Sequence, residues 1–150
     1  MIIAIAVLLI LIITQSFTIM SSNNTENQQY SVVLKEKEFE IRFYPATTIA
    51  TINSSAKSYK ELSGSGFRKL AGYIFGGNES DTKIAMTTPV HMDINDTMSS
   101  MSFIMPSKYS QANLPKPNDP NVIIKKTKDE YVAAINFSGY ASDNDLKIYS

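Results

Sequence analysis

The chain has no cysteine and no tryptophan, a single histidine, and no excess of either charge: 14 Lys and Arg stand against 14 Asp and Glu in 150 residues. Without cysteine there is no disulfide, no thiolate zinc site, no iron–sulfur cluster and no thiol nucleophile. One imidazole rules out zinc sites that need two or three, and it confines any Ser-His-Asp arrangement to His91. The charge balance leaves no broad basic surface for phosphates, so nucleic acid is not an expected partner. What is present, 43% apolar and 19% charged residues, fits one small globular domain rather than a disordered or fibrous chain.

The N-terminus differs from the rest. Residues 1–20 carry no charged side chain, and residues 2–13 are an unbroken apolar run. Twelve apolar residues match the core of a secretory signal, whereas spanning the ~30 Å hydrocarbon layer takes about 20. The run has no basic residue before it and no small-x-small site better than Ser16-Phe17-Thr18. A signal peptide is therefore the preferred reading, with an uncleaved membrane anchor or a buried helix as alternatives. The first two place the protein outside the cytoplasm, secreted or membrane-anchored. Residues 21–29 are wholly polar and read as a spacer, so the domain is expected over residues 30–150. Five Asn-x-Ser/Thr sequons, at Asn23, Asn53, Asn78, Asn95 and Asn136, exceed the roughly two that composition predicts. They matter only in a host that glycosylates, and Asn136, inside an apolar run, is the least suited of them.

Within the domain, residues 30–34 and 39–44 read as strands, the second alternating Phe39, Ile41 and Phe43 with Glu40 and Arg42. Pro45 interrupts it, and residues 47–52 resume. From Ser65 the period changes to that of a helix. Phe67, Leu70, Ala71 and Ile74 fall at i, i+3, i+4 and i+7, Gly76-Gly77 stops the pattern, and Ser63 or Ser65 is the expected cap. Gly64 and Gly66 argue against an extension upstream. Next comes a strand with Ile84, Met86, Val90, Met92 and Ile94 on one face and Ala85, Thr87, His91 and Asp93 on the other. Pro89 within it implies an edge position or a bulge. Residues 101–105 form a further strand, and residues 122–124 and 131–137 the last two, joined as a hairpin by a polar turn. Asp143 and Asp145 prepare a second helix start. No phosphate-cradling loop is present, and the acid pairs Glu38/Glu40, Asp93/Asp96 and Asp143/Asp145 sit among polar residues where solvation is the expected state.

The run Gly66-Phe67-Arg68-Lys69-Leu70-Ala71-Gly72-Tyr73-Ile74-Phe75-Gly76-Gly77-Asn78, followed by Lys83-Ile84-Ala85-Met86-Thr87-Thr88-Pro89-Val90, resembles the SOUL haem-binding protein family. Phe39-Glu40-Ile41-Arg42-Phe43-Tyr44-Pro45, Phe103-Ile104-Met105-Pro106-Ser107-Lys108-Tyr109, Leu114-Pro115-Lys116-Pro117 and Phe137-Ser138-Gly139-Tyr140-Ala141 support it in the family's order. The resemblance implies an α+β fold, a distorted antiparallel β-barrel of two βαββ repeats similar to bacterial effector-binding domains. The sequence stops before the family's second helix and closing strands, which implies a truncated second repeat. Open sheet edges would then offer a template for dimerisation.

The resemblance also implies a non-enzymatic carrier or buffer of haem or a related porphyrin, with this tetrapyrrole as its partner and the membrane as a second if residues 1–20 are retained. Family members hold the ring in a shallow apolar cleft beside the first helix, without an obligatory axial histidine. The aligned apolar contacts are Phe67 and Ala71, while Gly64 and Gly72 stand where a mammalian member has basic residues. Lys60, Arg68 and Lys69 are the nearby substitutes for pairing the propionates. His91 is the candidate axial iron ligand, with Asp93 to orient it. The plainer readings are that Phe67 and Ala71 are core, that the cations are a solvated face, that His91 is merely exposed, and that Met86, Met92, Met98, Met101 and Met105 fill the core. The rival functions are an effector-binding or interaction module without haem affinity, and an enzyme on a small apolar substrate using His91.

Overall fold

The structure, a computed structural model, describes residues 25–136. The apolar leader, the first part of the spacer, the sequon at Asn23, the Phe137-Ser138-Gly139-Tyr140-Ala141 motif and the second helix start lie outside the described residues. The elements are β1 (Glu26–Asn27), β2 (Ser31–Lys35), β3 (Glu40–Tyr44), β4 (Thr48–Ser54), α1 (Tyr59–Ile74), β5 (Thr87–Thr88), β6 (Val90–Asp93), β7 (Ser99–Ile104), β8 (Ile123–Lys126) and β9 (Glu130–Ala134). They make an α+β fold with three sheets: β1-β5, β2-β3-β9 and β6-β7-β4-β8. Every pairing is antiparallel except that of β1 with β5. The sheets do not close into one barrel among the described residues.

The expected β8–β9 hairpin does not form. β8 pairs with β4 and β9 with β3, so the two strands belong to different sheets. The reason lies at Pro45. Tyr44 faces Glu130 before the proline and Thr48 faces Lys126 after it, so one antiparallel register is kept across the break. Side chains bridge the gap where the ladder is interrupted. The Ala46 N–H donates to Asp129 Oδ1 at 2.6 Å, the Thr47 N–H to Thr127 Oγ1 at 2.9 Å, and the Thr127 N–H to Thr47 O at 2.8 Å. Pro45 has no N–H and interrupts the ladder, and the next two N–H groups, of Ala46 and Thr47, find side-chain acceptors in place of strand carbonyls.

Helix α1 begins two turns earlier than its apolar periodicity suggests. Ser58 is the N-cap, its Oγ accepting from Glu61 N at 3.2 Å, while Glu61 Oε2 accepts from Lys57 N at 3.0 Å. This is a capping-box pattern, Ser-x-x-Glu, displaced by one residue on its return bond. The expected caps lie inside the helix, where Ser63 and Ser65 hydroxyls donate back to the carbonyls of Lys60 and Glu61. The buried stripe is Leu62, Gly66, Leu70, Tyr73 and Ile74. It packs on β4 and β7, against Ala50, Ile52, Met101 and Phe103. Gly66 permits the close approach, since a Cβ there would lie 3.0 Å from Ile52 Cδ1 and 3.3 Å from Met101 Sδ. Full burial of each Leu or Ile in this layer stabilises by roughly 1.5–3 kcal/mol.

The turn after α1 is built on Asn78. Its side-chain nitrogen donates to Tyr73 O and Thr82 O, and its Oδ1 accepts from Ser80 N and Thr82 N. The Asn78 sequon is therefore structural: the residue is buried and its amide is spent on the chain. Tyr73, buried beside it, donates its hydroxyl to Pro115 O at 3.0 Å, and burial with the nearby Tyr109 pushes its pKa up to about 12. This bond ties the helix to the loop between β7 and β8, where Pro115 lies.

Four of the five methionines named above do pack in or against the core, and Met98 is exposed. The apolar face Ile84, Met86, Val90, Met92 and Ile94 is also on the core, though split between β6 and the loops on either side of it. β6 is an edge strand, as Pro89 implies. The polar stretch expected as a spacer is partly structural. β1 pairs with β5, Gln28 N donates to Thr88 O at 2.8 Å, and Glu26 Oε1 accepts from Ser107 N at 2.9 Å.

The glycines separate into two kinds. A Cβ at Gly64 meets nothing within 4 Å, whereas at Gly77 it would lie 2.6 Å from Gly72 O, a backbone atom that cannot swing aside. Gly64→Ala is expected to raise stability by about 0.5–1 kcal/mol, and Gly77→Ala to lower it by roughly 1–3 kcal/mol. Urea midpoints of the two variants against the parent chain check both signs.

Candidate functional site

Five of the sequence candidates lie on α1, and the helix divides them. At about 100° per residue, Lys60, Phe67 and Ala71 share one flank beside the buried stripe, and Arg68 lies just beyond them. Lys69 falls roughly half a turn from Ala71, on the opposite flank. Its surroundings agree: the Asp119 carboxyl is held below the usual carboxylate range by hydrogen bonds from Asn121, with the Lys69 charge adding to the effect. Lys69 is thus drawn toward the loop around Asp119 and away from Phe67.

Phe67 is not core. It is 40% exposed, and its ring stands edge-on to Phe103 at 5.3 Å between centroids and 63° between planes. Ala71, one turn on, is half-buried, and Phe75, a further turn on at the C-cap, is 62% exposed. Phe67, Ala71 and Phe75 follow at i, i+4 and i+8, one ladder of accessible apolar surface along the helix. Phe75 is a residue that sequence reasoning missed, although the same spacing continued by one turn would have reached it. Lys60 and Arg68 are exposed and make no ion pair among the described residues. Gly64 lies on the same flank, and Gly72 just past Arg68; both open onto free space.

His91 is elsewhere. Val90 and Met92 pair with Phe103 and Met101 and pack against the core under α1. Side chains alternate across a strand, so His91 points to the reverse face. It sits there opposite Ser102, whose Oγ donates to Thr51 Oγ1 at 2.8 Å; that hydroxyl in turn donates to Met101 O at 3.1 Å. The sheet therefore stands between His91 and the Phe67 ladder, and the structure does not bring them into one site. Asp93 is on the same reverse face but exposed. Among the described residues no group of three or more His, Asp or Glu could hold a metal ion, and no helix is long and apolar enough to cross a membrane.

Partial burial holds the His91 imidazole below its ordinary pKa, with Glu130 opposing the shift. A depressed histidine favours the neutral form in the folded protein. Its contribution to stability is complete above the unfolded value of about 6.5 and is lost as pH falls through the folded value. The parent chain should lose stability across that acidic window, and His91→Gln should flatten the loss. Urea midpoints at several pH values, with an NMR titration of the imidazole, check this; an imidazole pKa above 6.5 would contradict it.

The family profile for the SOUL heme-binding proteins matches residues 25–149. Among curated proteins, Heme-binding protein 1 of Xenopus laevis is 30% identical over 80% of this chain and 68% of its own length. Heme-binding protein 2 of Mus musculus is 31% identical, and that of Homo sapiens 30%, each over 69% of this chain and 54% of its own. The chain thus spans between about half and two thirds of the length of these relatives. The ladder on the helix, the Asn78-anchored turn and the loop of residues 105–117 all fall inside the matched region, and the chain belongs to the SOUL heme-binding protein family.

Proposed function

We propose that the protein binds haem or a related porphyrin without chemical turnover, as a carrier or buffer, on the flank of α1 that carries Phe67, Ala71 and Phe75. The observation that carries this reading is the exposure of Phe67. A large aromatic at mid-helix, already braced edge-on by Phe103, presents a fixed apolar surface of the kind that stacks on a flat ring. Lys60, two turns back on the same flank, and Arg68, just beyond it, would meet the two propionates by charge-assisted hydrogen bonds. The names of the vertebrate relatives support the ligand class. A bound haem would supply the iron chemistry; this chain supplies a rigid shelf and the rim cations. His91 has no part in this site.

The same proposal takes the two-repeat antiparallel barrel as the complete architecture, and the apolar leader as a signal or anchor that places the domain outside the cytoplasm. Pairing between copies along the edges of β2 or β9 that have no partner among the described residues is part of it as well. The interaction-module reading is favoured by one observation, the glycines at positions 64 and 72.

An absorbance titration of the full chain with haemin is the test. The parent should give a saturable Soret shift. Phe67→Ala should weaken it about tenfold or more, on the scale of a buried aromatic side chain, while His91→Ala leaves it unchanged. Gly64→Lys, which adds a cation in open space on the same flank, should strengthen it severalfold. A folded parent chain with no saturable shift overturns the proposal in favour of an interaction module.

A further inference from the structure

The motif Met105-Pro106-Ser107-Lys108-Tyr109 takes no part in the α1 ladder. It walls a cleft of about 510 Å³ on the other side of the bend at Pro45, between the chain leaving β7 and the start of β4. That volume falls within the range of small-molecule sites, roughly 300–1,000 Å³. Met105, almost fully buried, and Tyr109 line the cleft with apolar groups, and Lys126 is the single charged side chain lining it among the described residues. Lys126 makes no ion pair among the described residues. The hydroxyls of Thr47, Thr48, Ser107 and Ser110, which also line the cleft, make no hydrogen bond to another described residue, although the backbone N–H groups of Thr47, Ser107 and Ser110 do. Four hydroxyl-bearing residues and Lys126 thus line one hollow together with Met105 and Tyr109.

A second observation adds to this. A smaller hollow of about 100 Å³ adjoins the cleft, sharing Ala46, Thr47, Met105 and Ser107 with it. Gln28 lines that hollow, and its side-chain oxygen is buried with no hydrogen-bond partner. Folded proteins seldom leave a buried acceptor unmet, so a donor from outside the chain is the natural occupant of this end.

The geometry points to a second ligand site here, separate from the α1 flank, for a small hydroxycarboxylate. Its anionic end faces Lys126 and the free hydroxyls, its apolar body lies along Met105 and Tyr109, and its hydroxyl donates to Gln28 Oε1. The carboxylate selects the Lys126 end by charge, and the donor selects the Gln28 end because an apolar group there would leave the acceptor unmet.

The test is an amide-resolved NMR titration of the full chain with 4-hydroxybenzoate, and with benzoate as the analogue lacking the donor. The expected result is a saturable shift at Ser107, Ser110 and Thr47 at roughly millimolar concentration, typical of so small a ligand. Lys126→Gln should weaken it roughly three- to fivefold, the scale of a solvent-exposed ion pair, while Lys125→Gln leaves it unchanged. Gln28→Leu should weaken 4-hydroxybenzoate and spare benzoate. Overturning results are shifts that fail to saturate by about 10 mM, equal weakening by Lys125→Gln and Lys126→Gln, equal affinity for the two probes, or shifts confined to Phe67 and Ala71. Haemin binding should be unaffected by Lys126→Gln, so failure here is distinguishable from failure of the α1 site.

Discussion

Tyr44 faces Glu130 and Thr48 faces Lys126, so two strands broken at Pro45 stay in register on both sides of the break. Much of the fold follows from this. β3 and β4 belong to different sheets, and β8 and β9 must follow them into those same sheets. The interruption leaves residues 45–47 without a regular ladder, and Asp129 and Thr127 take over as acceptors. Because β4 is held in place from the β8 side, its other edge is free to receive β7, and the pair forms the floor on which α1 lies. The cleft lined by Thr47, Thr48 and Lys126 is a by-product of the same bend.

This pairing was not legible in the sequence. Period-2 alternation located β3, and short β-branched or apolar runs located β4, β7 and β9 to within a few residues, because such patterns are a property of each strand alone. They carry no information about partners, and proximity in sequence wrongly suggested a β8–β9 hairpin. β1 was invisible for a related reason: Glu26 and Asn27 have no apolar alternation and are ordered by β5 and by the Glu26–Ser107 bond, both distant in sequence. The start of α1 was legible but was missed. Ser58-Tyr59-Lys60-Glu61 is a capping signal, yet two glycines downstream argued against a helix. Each costs about 1 kcal/mol relative to alanine, and Gly66 offsets this by letting the helix approach Ile52 and Met101 closely.

The candidate site was legible in its residue types and not in its geometry. Phe67, Leu70, Ala71 and Ile74 fit a helical stripe, but the stripe that is buried is Leu62, Gly66, Leu70, Tyr73 and Ile74. A glycine counts as neutral in any search for apolar spacing, so the pattern was centred one strip away, which made the core the plainer reading of Phe67 beside its candidate role as a ring contact. Once the stripe is centred correctly, Phe67 and Ala71 move to its rim, Phe75 joins them, and Lys69 passes to the far side. Strand parity does the same for His91: its neighbours Val90 and Met92 are on the core, which sends it through to the other face.

In the proposed site, with His91 on the reverse face and glycines at positions 64 and 72, the α1 flank would hold a ring chiefly by apolar contact. An exposed ion pair contributes about 0–1 kcal/mol, while burying an aromatic side chain contributes roughly 1.5–3 kcal/mol. Phe67 therefore outweighs Lys60 or Arg68 singly, and the two cations together only approach it. What makes such a shelf effective is that little order has to be imposed when a ligand arrives. α1 is fixed at its start by the Ser58 cap and Glu61, and at its end by Asn78 and the Tyr73–Pro115 bond. Phe67 is itself fixed against Phe103, a residue of the strand that β4 holds in place. The rigidity of the site thus traces back to the same pairing across Pro45 that sets the sheets, and weakening that pairing would loosen the shelf without touching a single residue on it.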